Sequence, residues 1–299
     1  MQHLATILDW IRYATSTLAR SNVYFGHGTD NPLDEAAALV LGLLGLPFDL
    51  SPTYFAAHLT LDEREQLSQA LQKRIESRIP VPYLTNRTLY GGYEFYVDER
   101  VLIPRSPIIE LIERDFSPWW KTALPPQRIL DLCCGSGCLG ILAQLRQPQA
   151  EVVLTDIDTG ALEVAQYNLS KFAMDDDALL LQGDLFTPVQ GQFDWIICNP
   201  PYVEAEEMTE IAQEFLHEPQ LALVSGTDGL DASRRILAEA LDYLTPRGIL
   251  VLEVGTNWPI LQEAFPDADF EWVEFKRGGE GVCVISADEL LAWREAGIV

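Results

Sequence analysis

The sequence predicts an α/β protein built on a mostly parallel sheet, with a small helical domain ahead of it and a β-hairpin connecting the two. Three observations carry that expectation. From about residue 104 short apolar runs alternate with helical stretches, the pattern of a parallel sheet covered on both faces. The first 80 or so residues instead show helical spacing and helix-start signals. Between them, Gly91-Gly92 separates two short strand-like runs, a hairpin signature that needs positive φ in the turn.

In the first region Leu4, Ile7, Leu8, Ile11, Thr15 and Leu18 recur at helical spacing. Asn31 before Pro32 reads as an N-cap with proline in the first turn, and Thr60 with Glu63 as a capping box ahead of Leu67, Leu71 and Ile75. The apolar stretch 36–46 is about half the ~20 residues needed to cross a bilayer and contains Gly42 and Gly45, so it reads as a core helix. The expected organisation is a helical substrate-recognition domain at 1–85, the hairpin connector at 86–103, and a sheet domain at 104–299. Within the last, strands are expected at 128–132, 151–155, 178–182, 193–198, 248–254, 270–275 and 282–285, with the final two antiparallel. Helices are expected at 161–172 and 232–244, and Asp175 to Asp177 as a surface loop.

Composition narrows the function. With 48% hydrophobic residues the chain supports one or two real cores. No basic, apolar, small-residue leader opens it, because Asp9 and Arg12 interrupt the first helical pattern, which predicts a cytoplasmic protein with no membrane attachment. A formal charge of −25 repels polyphosphate, disfavours stable nucleic-acid binding and suits a basic protein partner, although adaptation to salt accounts for the acidity equally well. Cys133, Cys134, Cys138, Cys198 and Cys283 are not in paired C-x-x-C frames, and His3, His27, His58 and His217 are scattered, so small buried thiols and no metal site are expected.

Asn199-Pro200-Pro201-Tyr202 directly follows the apolar run 193–198. Two prolines force the chain out of the sheet abruptly and leave a rigid polar ledge beyond the strand end, where open α/β sheets bind ligands. The Asn199 carboxamide and the Pro200 carbonyl are two fixed acceptors, suited to both hydrogens of an NH2 group. A plain proline-terminated strand capped by Tyr202 is the competing reading. After the first strand, Gly135, Gly137 and Gly140 spell G-x-G-x-x-G, which lets backbone approach a ligand. Asp156 ends the second strand 19 residues after Gly137, the spacing at which a carboxylate reaches ribose hydroxyls. Asp184 follows the third strand, where an adenine amine could be read. Asp131 discriminates between cofactors: a carboxylate there is awkward beside a pyrophosphate but well placed near a cationic amino-acid moiety. Asp158 reads as a helix N-cap.

These residues resemble the class I S-adenosylmethionine-dependent methyltransferases, and among them the protein glutamine methyltransferases, over nearly the whole chain. The resemblance rests on the helical domain, the hairpin, the run from Val97 to Arg105, the glycine loop, the ledge, Glu218-Pro219, Gly226 and Asp228-Gly229-Leu230. It implies a Rossmann-like, mostly parallel seven-stranded sheet. Pro104-Arg105-Ser106-Pro107-Ile108-Ile109-Glu110 and Gly278-Gly279-Glu280-Gly281 look like the branch that modifies a ribosomal protein, implying as substrate a glutamine of the basic large-subunit ribosomal protein three. S-adenosylmethionine is then the implied cofactor. Asp131, Cys133, Gly135 and Gly137 would shape its methionine end, Asp156 would hold the ribose, and Asp184 with Leu185 would flank the adenine. Arg105 and Ser106 would help close the pocket; Asn199, Pro200, Pro201 and Tyr202 would hold the glutamine, with Asn199 also beside the cofactor. Cys133 stands where many such enzymes have a glycine, and it fits there if its φ stays negative.

Four alternatives stay open from the residues. A release-factor glutamine methyltransferase shares the chemistry; an adenine-amine DNA or RNA methyltransferase shares the ledge but wants a basic recognition region. A nicotinamide-dependent dehydrogenase explains the glycines and Asp156 but not the ledge. A non-catalytic protein-binding module explains only the helical domain.

Overall fold

The structure is a computed structural model that describes residues 4–299; His3 and the start of the 1–85 domain lie outside the described residues. The chain divides into two compact units. The first comprises Met1–Glu99, Ile103–Arg105 and Ile211–Glu218; the second comprises Arg100–Leu102, Ser106–Glu210 and Pro219–Val299.

In the first unit α1 (Ile7–Leu18), α2 (Pro32–Leu43), α3 (Leu61–Glu76) and α4 (Val81–Thr85) precede the hairpin strands β1 (Thr88–Tyr90) and β2 (Tyr93–Phe95). The caps form as the residues dictate. Asn31 accepts from the backbone N–H groups of Leu33 and Asp34, and Thr60 and Glu63 make a reciprocal capping box. The α1 helix buries Ile7, Trp10, Ile11, Ala14 and Leu18, one apolar face at helical spacing. Gly91 and Gly92 both adopt positive φ, 59° and 80°, so the two-residue turn closes β1 on β2 antiparallel.

A buried charge cluster ties this unit together. Arg74, only 1% exposed, donates through Nε to Glu35 at 2.7 Å, through Nη1 to Glu214 at 2.9 Å and through Nη2 to the Tyr24 carbonyl at 2.6 Å. Glu218 accepts from Arg105 Nη1 and Nη2 at 2.6 and 2.8 Å and from the Ile103 N–H at 2.9 Å. Glu214 and Glu218 come from Ile211–Glu218, so this late segment belongs by its partners to the helical unit.

The second unit holds a six-stranded sheet in the order β5-β4-β3-β6-β7-β8, formed by β3 (Arg128–Leu132), β4 (Glu151–Asp156), β5 (Ala178–Gln182), β6 (Phe193–Cys198), β7 (Leu244–Glu253) and β8 (Val282–Ser286). All pairings are parallel except that of β8 with β7. Helices α5 (Ile109–Ile112), α6 (Cys138–Arg146), α7 (Thr159–Lys171), α8 (Asp231–Tyr243), α9 (Trp258–Ala264) and α10 (Ala287–Glu295) complete it. Consecutive residues of β3, β6 and β7 are buried, so both faces of the sheet centre are covered.

The expected seventh strand at 270–275 is corrected to a single antiparallel bridge, Trp272 to Cys283. Phe270 and Val273 are the buried pair there, a spacing of three that breaks the period of two a strand requires. Phe270 turns its ring onto Trp272 and Trp293, and this aromatic packing replaces a ladder. No described helix is long and apolar enough to cross a membrane.

Candidate active site

The strand order reverses at β3. The chain runs from β3 outward to β4 and β5, then returns to place β6 on the other side, with Leu132 paired to Cys198. A crevice beyond the strand ends is expected at such a switch point. The glycine loop leaves β3 there, and the ledge leaves β6 beside it.

The loop is held from three sides. Cys134 donates its N–H to the Thr155 carbonyl at 2.9 Å, Asn168 of α7 donates from Nδ2 to the Ser136 carbonyl at 2.9 Å, and Asp156 accepts from the Gly135 N–H at 2.9 Å. The other oxygen of Asp156 accepts from the Asp158 N–H at 3.0 Å, and Asp158 caps α7 as expected. Gly135 and Gly137 have φ of 53° and 75°, so both need the left-handed region that glycine occupies freely. A Cβ on Gly137 would lie 3.0 Å from Leu154, whereas one on Gly135 would meet nothing within 4 Å. The Gly135 side of the loop therefore faces open space.

Cys133 departs from expectation. Its φ is +62° rather than negative, a conformation that costs an L-residue roughly 1–2 kcal/mol. The Cys134 bond to β4 holds the turn, and the half-buried Cys133 side chain packs on the sheet core. Leu185 is likewise left-handed, with φ 47°, and buried.

Asp131 is 1% exposed; Oδ2 accepts from the Gly140 N–H at 2.7 Å, while Oδ1 has no hydrogen-bond partner. Burial pushes its pKa up to about 7 against the Gly140 bond, with nearby Asp156 adding to the rise. Burial raises Asp156 as well. Two neighbouring carboxylates that resist ionisation make this loop receptive to a cation.

On the ledge, Asn199 is half-buried and Pro200 buried. Among the described residues neither the Asn199 carboxamide nor the Pro200 carbonyl makes a hydrogen bond. Tyr202 is fixed at its backbone: its N–H donates to Leu223 at 3.0 Å and its carbonyl accepts from Asn257 Nδ2 at 2.5 Å. Burial lifts the Cys198 thiol well above its ordinary pKa, so no thiolate competes with the ledge at neutral pH.

The structure thus gathers Asp131, Cys133, Gly135, Gly137 and Asp156 around one loop, with Asn199 to Tyr202 at the end of the next strand. Asp184 and Leu185 follow β5, beside Asp156, whose carbonyl accepts from the Gly183 N–H at 3.0 Å. The half-exposed Asp184 carboxylate is held at 2.9 Å by Arg235 of α8. Arg105 pairs with Glu218 inside the first unit, and the Ser106 hydroxyl donates to Glu253 in the second. Asn168, Arg235 and Asn257 were not legible as site residues. Only Asn257, just after a strand end and a glycine, carried any signal.

Residues 121–230 match the Methyltransferase small domain family. The hMettl16 catalytic domain, solved in complex with MAT2A 3′UTR hairpin 6, shares the fold at a TM-score of 0.52 and 15% identity over 76% of this chain and 82% of that one. The fold is that of a class I methyltransferase. The ribosomal protein uL3 glutamine methyltransferases of Neisseria meningitidis serogroups A and B are each 42% identical over 290 residues, 97% of this chain and 96% of theirs. The chain belongs to the family of ribosomal protein uL3 glutamine methyltransferases.

Proposed function

We propose that this chain transfers a methyl group from S-adenosylmethionine to the side-chain amide nitrogen of a glutamine in ribosomal protein uL3. The observation that carries the reading is the ledge: two acceptors, Asn199 and the Pro200 carbonyl, fixed by prolines and unused by the protein's own hydrogen bonds among the described residues.

The loop fits the cofactor. Asp131 keeps a buried unpartnered oxygen, Gly135 faces open space, and Asp156 is anchored so that both its oxygens are set. When bound, S-adenosylmethionine supplies a methyl group on an electrophilic sulfonium. Asp131, Cys133, Gly135 and Gly137 would surround its methionine end, Asp156 its ribose, and Asp184 with Leu185 its adenine.

An amide nitrogen is a poor nucleophile because its lone pair is delocalised. Asn199 Oδ1 and the Pro200 oxygen, by accepting both hydrogens, concentrate charge on that nitrogen and fix its direction of attack. After transfer the nitrogen holds one proton too many, which leaves to water, so no side-chain base is needed. A basic ribosomal protein suits a chain of net charge −25, and association would weaken as salt screens both partners.

The test is a parallel incubation of enzyme and labelled cofactor with uL3, release factors and nucleic acids. Label in a glutamine of uL3 is expected; label mainly in a release factor or in nucleic acid would replace the substrate. Asn199→Ala should lose on the order of a hundredfold in turnover while cofactor affinity measured by calorimetry stays unchanged. A normal rate in that variant would reduce the ledge to a strand terminator.

A further inference from the structure

Tyr202 closes the ledge, and the residues that hold it come from three separate parts of the second unit. Its carbonyl accepts from Asn257 Nδ2, and Asn257 is 5% exposed. A Cβ on Gly229, whose φ is 73°, would lie 2.2 Å from both Asn257 Nδ2 and the Tyr202 oxygen, the two atoms of that bond. Glycine at 229 is therefore the condition for the bond to exist. A Cβ on Gly255 would lie 2.6 Å from the Tyr202 ring, so this glycine seats the ring. Gly281 packs in turn against Gly255: a Cβ on it would fall 1.8 Å from the Gly255 carbonyl oxygen, and its own carbonyl accepts from the Val254 N–H at 2.7 Å. The Gly278-Gly279-Glu280-Gly281 motif thereby gains a structural reason at its last position.

We infer that Asn257 is a positioning residue for methyl transfer: through the Tyr202 carbonyl it fixes the far end of the ledge and so aims the Asn199 and Pro200 acceptors. The ledge has few soft torsions, since Pro200 and Pro201 lock their own φ. Its near end is fixed by Cys198 in β6, paired to Leu252 of β7. With the near end set by the sheet, the remaining freedom is removed at Tyr202, by Asn257 on one side and the Leu223 carbonyl on the other. Asn257 itself is held by its N–H to the Val254 carbonyl at 3.1 Å, directly after β7. The inference takes from the proposed function only what the ledge does; the geometry it rests on is independent of the substrate.

The deciding experiment compares Asn257→Ala, Asn257→Asp and Gly229→Ala with the unaltered chain. Asn257→Asp keeps shape but turns a donor into an acceptor facing a carbonyl. Asparagine side-chain and glycine backbone amides are labelled for NMR, with the Asn199 signal assigned by its loss in Asn199→Ala. In both Asn257 variants the Asn199 signal should move, while the Gly135 and Gly137 signals and the thermal midpoint hold. Turnover on uL3 should fall on the order of a hundredfold, the scale of a small misplacement of a reacting group, with KM for S-adenosylmethionine unchanged. Gly229→Ala should reproduce the Asn199 shift where it folds. An unmoved Asn199 signal, or a turnover per folded molecule equal to wild type, would overturn the inference. If the unaltered chain leaves uL3 unlabelled, the substrate assignment fails, and the NMR comparison alone decides the role of Asn257.

Discussion

Glu218 of the first unit and Asp131 of the second are both buried, at 3% and 1% exposure, yet their charges are handled in opposite ways. Burial alone would raise both. At Glu218 the Arg105 guanidinium, supported by His27 at 3.6 Å, overrides it and holds the carboxyl at about 2. At Asp131 one backbone N–H opposes burial, nearby Asp156 adds to the rise, and the group rises to about 7. The lesson is a division of labour. The helical unit engages buried Glu35, Glu214 and Glu218 in arginine pairs, while the sheet unit leaves one carboxylate oxygen of Asp131 unspent where a cationic ligand is expected.

The strongest way to break the comparison is to remove the cation from the first unit. Arg105→Met should leave Glu218 buried without its arginine and lower unfolding stability by about 3 to 5 kcal/mol in urea titrations, and adding Glu218→Gln should recover much of it. Unchanged stability with lost S-adenosylmethionine affinity would instead return Arg105 to the cofactor pocket that the family resemblance implied.

A subtler test sets the two carboxylates against pH. Because the folded pKa of Glu218 is depressed from 4.5 to about 2, its stabilisation is complete above 4.5 and is lost as pH falls toward 2. Asp131 has the opposite sign. Its folded pKa is raised from 3.8 to about 7, so the native state retains a proton that the unfolded chain has released, and stability falls as pH climbs through that window. Asp131→Asn should flatten the fall, by up to about 1 kcal/mol per pH unit between roughly pH 4 and 7. Parallel stability profiles of variant and wild type would show Asp131 to be ionised already if the two slopes coincide.

The smallest effect concerns the loop. Cys133→Gly relieves a left-handed cysteine but gains unfolded-state entropy and loses packing, so stability should change by about 1 kcal/mol or less. A loss well beyond that in thermal unfolding would mean the Cys133 side chain supports the sheet core more than its strain costs.

Much of the candidate site's local backbone was readable in one dimension. Asn199 to Tyr202 and the loop at Gly135 and Gly137 announce themselves because proline and glycine restrict or free the backbone at their own position, and the Asn31 and Thr60 caps because their partners lie within three residues. The strand at 270–275 was misread because apolar composition does not disclose that Phe270 and Val273 face the same way.

The sequence by itself therefore determined the strand and helix alternation, the hairpin, the caps, the glycine loop and the ledge, all features whose cause acts over a few residues. Tertiary structure alone decided that Arg74 and Glu214, 140 positions apart, share a buried pair, that Arg105 belongs to Glu218, that Cys133 turns left-handed under a bond to β4, and that Gly229 leaves room for Asn257 to reach Tyr202. Those outcomes depend on which distant groups the sheet order brings within bonding distance, and no local period or turn preference encodes that distance.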